Sequence, residues 1–137
     1  MREKGFTLIE ILVVVMILGL LISLAAPRII GRTDEARVVK AMADIRALEE
    51  GLNLYRLDSG AYPSTEQGLA GLVTKPTLPP VPQRWREDGY FERVPLDPWN
   101  NDFIYASDGR SYVLRSLGSD GEEGGDGVDA DIDSRDF

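Results

Sequence analysis

Residues 6–26 read FTLIEILVVVMILGLLISLAA, twenty-one positions with one charge, Glu10. As a helix rising ~1.5 Å per residue, this run is roughly 31 Å long, enough to cross the hydrocarbon core of a bilayer. A cleaved secretory signal is the rival reading, with residues 1–4 as its basic start and Ser23-Leu24-Ala25 as a small-residue cleavage site. Three features oppose it. The run exceeds the usual apolar core of such signals, carries a carboxylate near its start, and continues into Pro27. A transmembrane helix over 6–26 is the expectation.

Past the span, Val38, Ala41, Ile45, Leu48, Leu52 and Tyr55 recur at spacings of three and four, which draws one apolar stripe along a helix. Asp34, Glu35, Lys40, Asp44, Arg46 and Glu50 occupy the other side, and Asp58-Ser59-Gly60 ends the pattern. One helix from about Phe6 to Asp58 is predicted, with a kink or break at Pro27 and Gly31. Further on, Ser64-Thr65-Glu66-Gln67 has the form of a capping box and predicts a short helix through about Val73. Residues 75–82 hold four prolines and read as a loop. Trp85, Tyr90 and Phe91 read as lids over a small core. Residues 103–107 and 111–116 alternate around Asp108-Gly109-Arg110, a hairpin signal.

Composition excludes much. With neither Cys nor His in 137 residues, the chain has no disulfide, no thiolate nucleophile, no Ser/His/Asp triad and no His-containing zinc site. A net charge of −8 argues against a nucleic-acid partner. Nearly all of that charge lies in the last eighteen residues, where eight carboxylates face one base, Arg135. Residues 120–131 mix oxygen ligands with turn-permitting glycines, so a calcium-binding loop and a solvated acidic tail are both open on composition. An EF-hand is not among the options, because Ser134 stands where Asp129-x-Asp131-x-Asp133 would require Gly.

Glu10 likewise has two readings: a carboxylate near the interface at the positive end of a helix dipole, or one paired with a cation inside the membrane. Lys4-Gly5-Phe6-Thr7-Leu8-Ile9-Glu10 resembles the leader signal of type IV pilins and their pseudopilin relatives. That resemblance implies cleavage after Gly5 by prepilin peptidase, N-methylation of Phe6, and pairing of Glu10 with the terminal amine of a neighbouring subunit. Arg2 and Lys4 precede the span but Arg28 and Arg32 follow it, so charge does not orient the chain. The resemblance implies a cytoplasmic leader and a periplasmic remainder.

The match extends along the chain. The run from Tyr55 to Leu69, Pro95-Leu96-Asp97-Pro98-Trp99-Asn100 and Ser116-Leu117-Gly118-Ser119-Asp120-Gly121 are similar to stretches of the major pseudopilins of bacterial type II secretion. The lack of Cys fits that branch rather than type IV pilins, which commonly close their C-terminal region with a disulfide. In that family the acidic loop holds Ca2+. By resemblance the ligands are Asp120, Asp131 and the Leu117 carbonyl, followed by Ser119, Asp126, the Val128 carbonyl and Asp129, with Glu122 and Glu123 facing solvent.

The expected fold is α+β: a long N-terminal helix, transmembrane then amphipathic, packed on a small antiparallel sheet with a C-terminal metal-binding loop. Its parts are a leader (1–5), the transmembrane helix (6–26), the amphipathic half (27–58), and a periplasmic globular region (59–137) with the acidic loop at 117–133. The implied role is a non-enzymatic subunit of a homo-oligomeric helical filament in the inner membrane. Its implied partners are minor pseudopilins, prepilin peptidase, a platform protein, a cytoplasmic ATPase and the outer-membrane secretin. A type IV pilin or minor pseudopilin is the nearest alternative, although Glu10 argues against the tip-most minor pseudopilin, which typically lacks it. A membrane-tethered periplasmic enzyme is the distant one; it would need two converging carboxylates in a cleft, and the acids cluster in one Gly-rich loop instead.

Overall fold

The computed structural model describes residues 5–137, with side chains throughout that range except at 26–31. The leader residues Arg2 and Lys4 lie outside the described residues. Helix α1 runs Leu8–Ser59, 52 residues, and ends in Gly60 at φ 84°, a left-handed stop that glycine adopts at little cost. Of the kink or break expected at Pro27 and Gly31, the break does not occur, because α1 is continuous through both positions. A proline removes one donor from a helix, a loss that a long element can absorb.

The chain divides into two compact units, Met1–Glu35 and Ala36–Phe137. In the first, the window Leu8–Ala25 is apolar on every face except at Glu10, and none of it is buried within the protein. In the second, the predicted stripe of α1 is the core. Ala41, Ile45, Leu48, Leu52 and Tyr55 are buried, joined by Tyr62, Leu69, Leu72, Phe103, Leu114 and Ile132. Trp85, Tyr90 and Phe91 are half-buried against this cluster, as expected of lids.

The capping box forms as read. Ser64 N–H donates to Gln67 Oε1 at 2.9 Å, and Gln67 N–H donates to Ser64 Oγ at 3.2 Å. The box opens a turn and a 3₁₀ segment, Leu69–Leu72, rather than an α-helix through Val73. Gly68, at φ 60° and ψ −169°, takes the chain out of helical geometry after one turn. The Gln67 amide then donates to Leu78 O at 2.7 Å and Pro80 O at 2.8 Å, so one buried side chain fastens the proline loop.

The hairpin is β1 (Ile104–Ser107) and β2 (Tyr112–Ser116), antiparallel, with Tyr105 opposite Leu114. Asp108 Oδ1 closes its turn by accepting from Ser111 N–H and Oγ–H and from Arg110 N–H, contacts that hold the carboxyl below its usual range. A third strand, β3 (Ile132–Asp133), pairs antiparallel with β2, setting Arg115 opposite Asp133 and Ser116 opposite Ile132. From sequence, those two residues belong to the acidic loop. Their pairing means that both ends of the loop are clamped to the sheet.

Candidate functional sites: the helix N-terminus and the acidic loop

At the helix start, a Cβ added to Gly5 would meet nothing within 4 Å among the described residues, which place no demand for glycine there. Phe6 beside it is 78% exposed. Thr7 and Glu10 form a capping box of their own: Glu10 N–H donates to Thr7 Oγ1 at 3.3 Å, and Thr7 N–H reaches Glu10 Oε2 at 3.5 Å. Glu10 thus sits one turn from the helix start, where orphan amides and the dipole favour an anion. Its carboxylate is on the exposed face and keeps acceptor capacity for a second donor.

The acidic loop leaves β2 at Ser116 and returns at Ile132. Backbone pairs close it: Ser119 N–H donates to Val128 O at 2.9 Å, and Asp131 N–H donates to Gly124 O at 3.1 Å. Gly124 N–H answers by donating to Asp131 Oδ1 at 3.2 Å. Two glycines let the strands of the loop approach. A Cβ at Gly118 (φ 69°) would lie 2.7 Å from Asp129 O, and one at Gly125 (φ 79°) would lie 2.8 Å from the Asp129 carbonyl carbon.

The expected ligands fall into two groups. Leu117, Val128, Asp129 and Asp131 are half-buried, while Ser119, Asp120 and Asp126 are exposed. Asp120 Oδ1 accepts from Glu122 N–H at 3.0 Å. Glu122 and Glu123 are exposed as expected, but the Glu123 carboxylate is also paired with Arg115. Among the described residues no three acidic side chains converge on one point. Calcium takes six to eight oxygens, so backbone carbonyls such as those of Leu117 and Val128 would have to complete the set. The donors present are all oxygens on a glycine-hinged loop, which suits a hard, irregularly coordinated cation.

Sequence reasoning missed two supports of this loop. Arg115, on β2, reaches Asp131 and Glu123. Asp97, only 3% exposed, accepts from Trp99 N–H, Asn101 N–H and Ser116 Oγ–H, and Ser116 Oγ accepts in turn from Gly118 N–H at 3.3 Å. An available signal was the proximity of Arg115, the last base before the acidic run, to that run.

Comparison with known proteins agrees with this architecture. Residues 28–135 match the family described as type II secretion system, protein G, and residues 1–26 match the prokaryotic N-terminal methylation motif. A type II secretion system core protein G of Pseudomonas aeruginosa is 50% identical over 133 residues, covering 96% of this chain and 94% of that protein. The Vibrio cholerae protein of the same name is also 50% identical over 133 residues, covering 96% and 90%. The Escherichia coli one is 46% identical over 125 residues, covering 90% and 86%. A crystal structure of the major pseudopilin from the type 2 secretion system of enterohaemorrhagic Escherichia coli superposes with a TM-score of 0.67 at 41% identity, covering 79% of this chain and 94% of that one.

Proposed function

This chain belongs to the protein G family of type II secretion, the major pseudopilins, and from that premise we propose that its copies stack into a filament growing from the inner membrane. The observation that carries the reading is the span Leu8–Ala25 of α1: eighteen residues with Glu10 as the one charge, none buried within the chain. They anchor the subunit in the bilayer, and on extraction they need the same faces of other copies, since water would leave them unsolvated. Growth of the fibre then moves folded substrates through an outer-membrane secretin. A cytoplasmic ATPase and a platform protein supply the work, and minor pseudopilins share the filament. The globular region lies in the periplasm, and the subunit itself performs no chemistry.

Prepilin peptidase cuts after Gly5, and the freed Phe6 amine is methylated. The unpacked setting of Gly5 supports this, because its small size answers to no neighbour among the described residues. Glu10 receives the Phe6 amine of an adjacent copy, a charge-assisted contact made strong by exclusion of water. Mass spectrometry of membrane-extracted protein should show a chain beginning at Phe6 with one added methyl group, and Gly5→Leu should remain uncut. Glu10→Leu should insert and be cleaved but assemble poorly. Normal fibres by electron microscopy from that variant would end the pairing assignment.

Calcium belongs to the acidic loop, on Asp120, Asp131 and the Leu117 carbonyl, with Ser119, Asp126, the Val128 carbonyl and Asp129 as further donors. When bound it would supply charge neutralisation; Gly118 and Gly125 permit close approach to Asp129, and the Ser119–Val128 pair ties the two limbs of the loop. Binding confined to the folded state adds about 2.7 kcal/mol at one hundred times Kd. The full chain in detergent should therefore melt higher in calcium than in chelator, with magnesium a poor substitute. Asp120→Ala and Asp131→Ala should remove the shift, and Glu122→Ala should leave it. Equal melting in calcium and chelator would reduce the loop to an acidic tail.

A further inference from the structure

Arg115 is the basic residue that enters the acidic loop's own network. Its Nη1 lies 3.4 Å from Asp131 Oδ2, and its Nη2 contacts Glu123 Oε1. Its Nε is buried with no hydrogen-bond partner. The strand neighbour opposite it, Asp133, is already taken: Arg135 donates to Asp133 Oδ1 at 2.8 Å and to Oδ2 at 2.5 Å. The guanidinium of Arg115 is thus committed to two loop carboxylates that stand eight residues apart.

Resting on the calcium reading above, we propose that Arg115 is the resident counter-cation of the loop, holding Asp131 and Glu123 when calcium is absent and yielding Asp131 when calcium enters. Three features support it. A planar fork can bridge two carboxylates at once, which a lysine ammonium does less well. Asp131 already gives one oxygen to Gly124 N–H and the other to Arg115, so a metal must share or take a carboxylate oxygen now in use. Two cations on one half-buried carboxylate repel each other, and the repulsion is less screened there than in open solvent. Arg115 therefore orders the empty loop and sets the calcium affinity below what the oxygen donors alone would give. Calcium exchanges one closed loop for another, and the filament subunit is not left with a free acidic strap between the two states.

The two effects have opposite signs, which is the test. Full-length Arg115→Gln in detergent should melt below wild type in chelator yet bind calcium more tightly, with Kd lowered roughly fivefold, the scale of one partly screened charge pair. Arg115→Lys should fall between. In wild type labelled with 15N-arginine, the Arg115 side-chain signal, identified by its loss in Arg115→Lys, should change during a calcium titration with the midpoint of binding. That measurement needs no folded variant at 115 beyond the one used for assignment. A Kd in Arg115→Gln equal to or weaker than wild type, or an Arg115 signal unmoved by bound calcium, overturns the proposal while the calcium reading stands. A wild-type chain that does not respond to calcium removes that reading, and this proposal with it.

Discussion

The ring of Phe91 lies across the bare Cα of Gly51, so close that a Cβ at Gly51 would overlap Cε2 and sit 2.9 Å from Cδ2. This accounts for a glycine on the buried face of α1, where it costs about 1 kcal/mol relative to Ala. Gly51→Ala should nonetheless destabilise the protein by about 1 kcal/mol, because overpacking of the ring outweighs the gain in helix propensity. With Phe91→Ala in the background the same change should stabilise by a similar amount. Urea denaturation of the four proteins checks the reversal; a destabilisation that persists without the ring would remove Phe91 as the cause.

Gly118 bears two demands together, a left-handed φ of 69° and a Cβ direction that points at Asp129 O from 2.7 Å. Gly118→Ala should cost about 2–3 kcal/mol, the sum of a strained backbone and a displaced carbonyl. Gly124 is the control. Its φ is also positive, but a Cβ there meets nothing within 4 Å, so Gly124→Ala should cost about 1 kcal/mol. Equal losses from the two would show that backbone strain alone matters and that the approach of Asp129 does not.

Much of this could be read from local pattern, because the pattern and the packing agree. The stripe from Val38 to Tyr55 became the core since its period matched the helix, and Ser64 and Gln67 capped each other as their spacing demanded. The hairpin followed from alternation about Asp108. Several of the misses share one cause, which is that the deciding partner was distant in sequence. β3 is two residues long, too short to show alternation, and exists because β2 offers it an edge. Arg115 pairs with residues eight and sixteen positions on, and Asp97 with Ser116 nineteen on. The 3₁₀ segment after Ser64 turned on one glycine, Gly68, whose φ no neighbouring residue announces.

Alkaline pH should weaken the fold. Burial pushes the Tyr105 hydroxyl up to about 12, and burial with the nearby Asp58 carboxylate pushes Tyr90 to about 12 as well. Tyr112 is also raised, by burial and then by its hydrogen bond to Glu49. In the unfolded chain these phenols ionise near pH 10. A group with a raised folded pKa contributes stability that is fully present below its unfolded value and lost as pH rises through the folded one. Stability measured by urea should therefore fall between about pH 10 and 12. Tyr105→Phe should flatten part of that slope, although it also releases the bond to Pro63 O at 2.8 Å. A slope unchanged in that variant would assign the alkaline loss to other groups.

Asp97 and Ser116 should behave as one unit. The Asp97 carboxylate is buried and accepts three donors: Ser116 Oγ at 2.7 Å, Asn101 N at 2.8 Å and Trp99 N at 3.0 Å. Asp97→Ala leaves all three without an acceptor, and at about 1–3 kcal/mol for each buried orphan a loss near 3–4 kcal/mol is expected once water reaches some of them. Asp97→Asn keeps one oxygen for the two amides, and the Ser116 hydroxyl can turn to accept from the new NH2, so about 1–2 kcal/mol is expected. Ser116→Ala removes one donor from Asp97 and the acceptor of Gly118 N–H, and should cost about 2 kcal/mol. Since both truncations break the same buried bond, the double variant should lose less than the sum, by about 1 kcal/mol or more. Ser116 is the last residue of β2 before the acidic loop, so these variants should also weaken the proposed calcium binding without touching a proposed ligand. Strict additivity in the denaturation cycle, with calcium affinity unchanged, would leave Asp97 as a local turn-former with no hold on the loop.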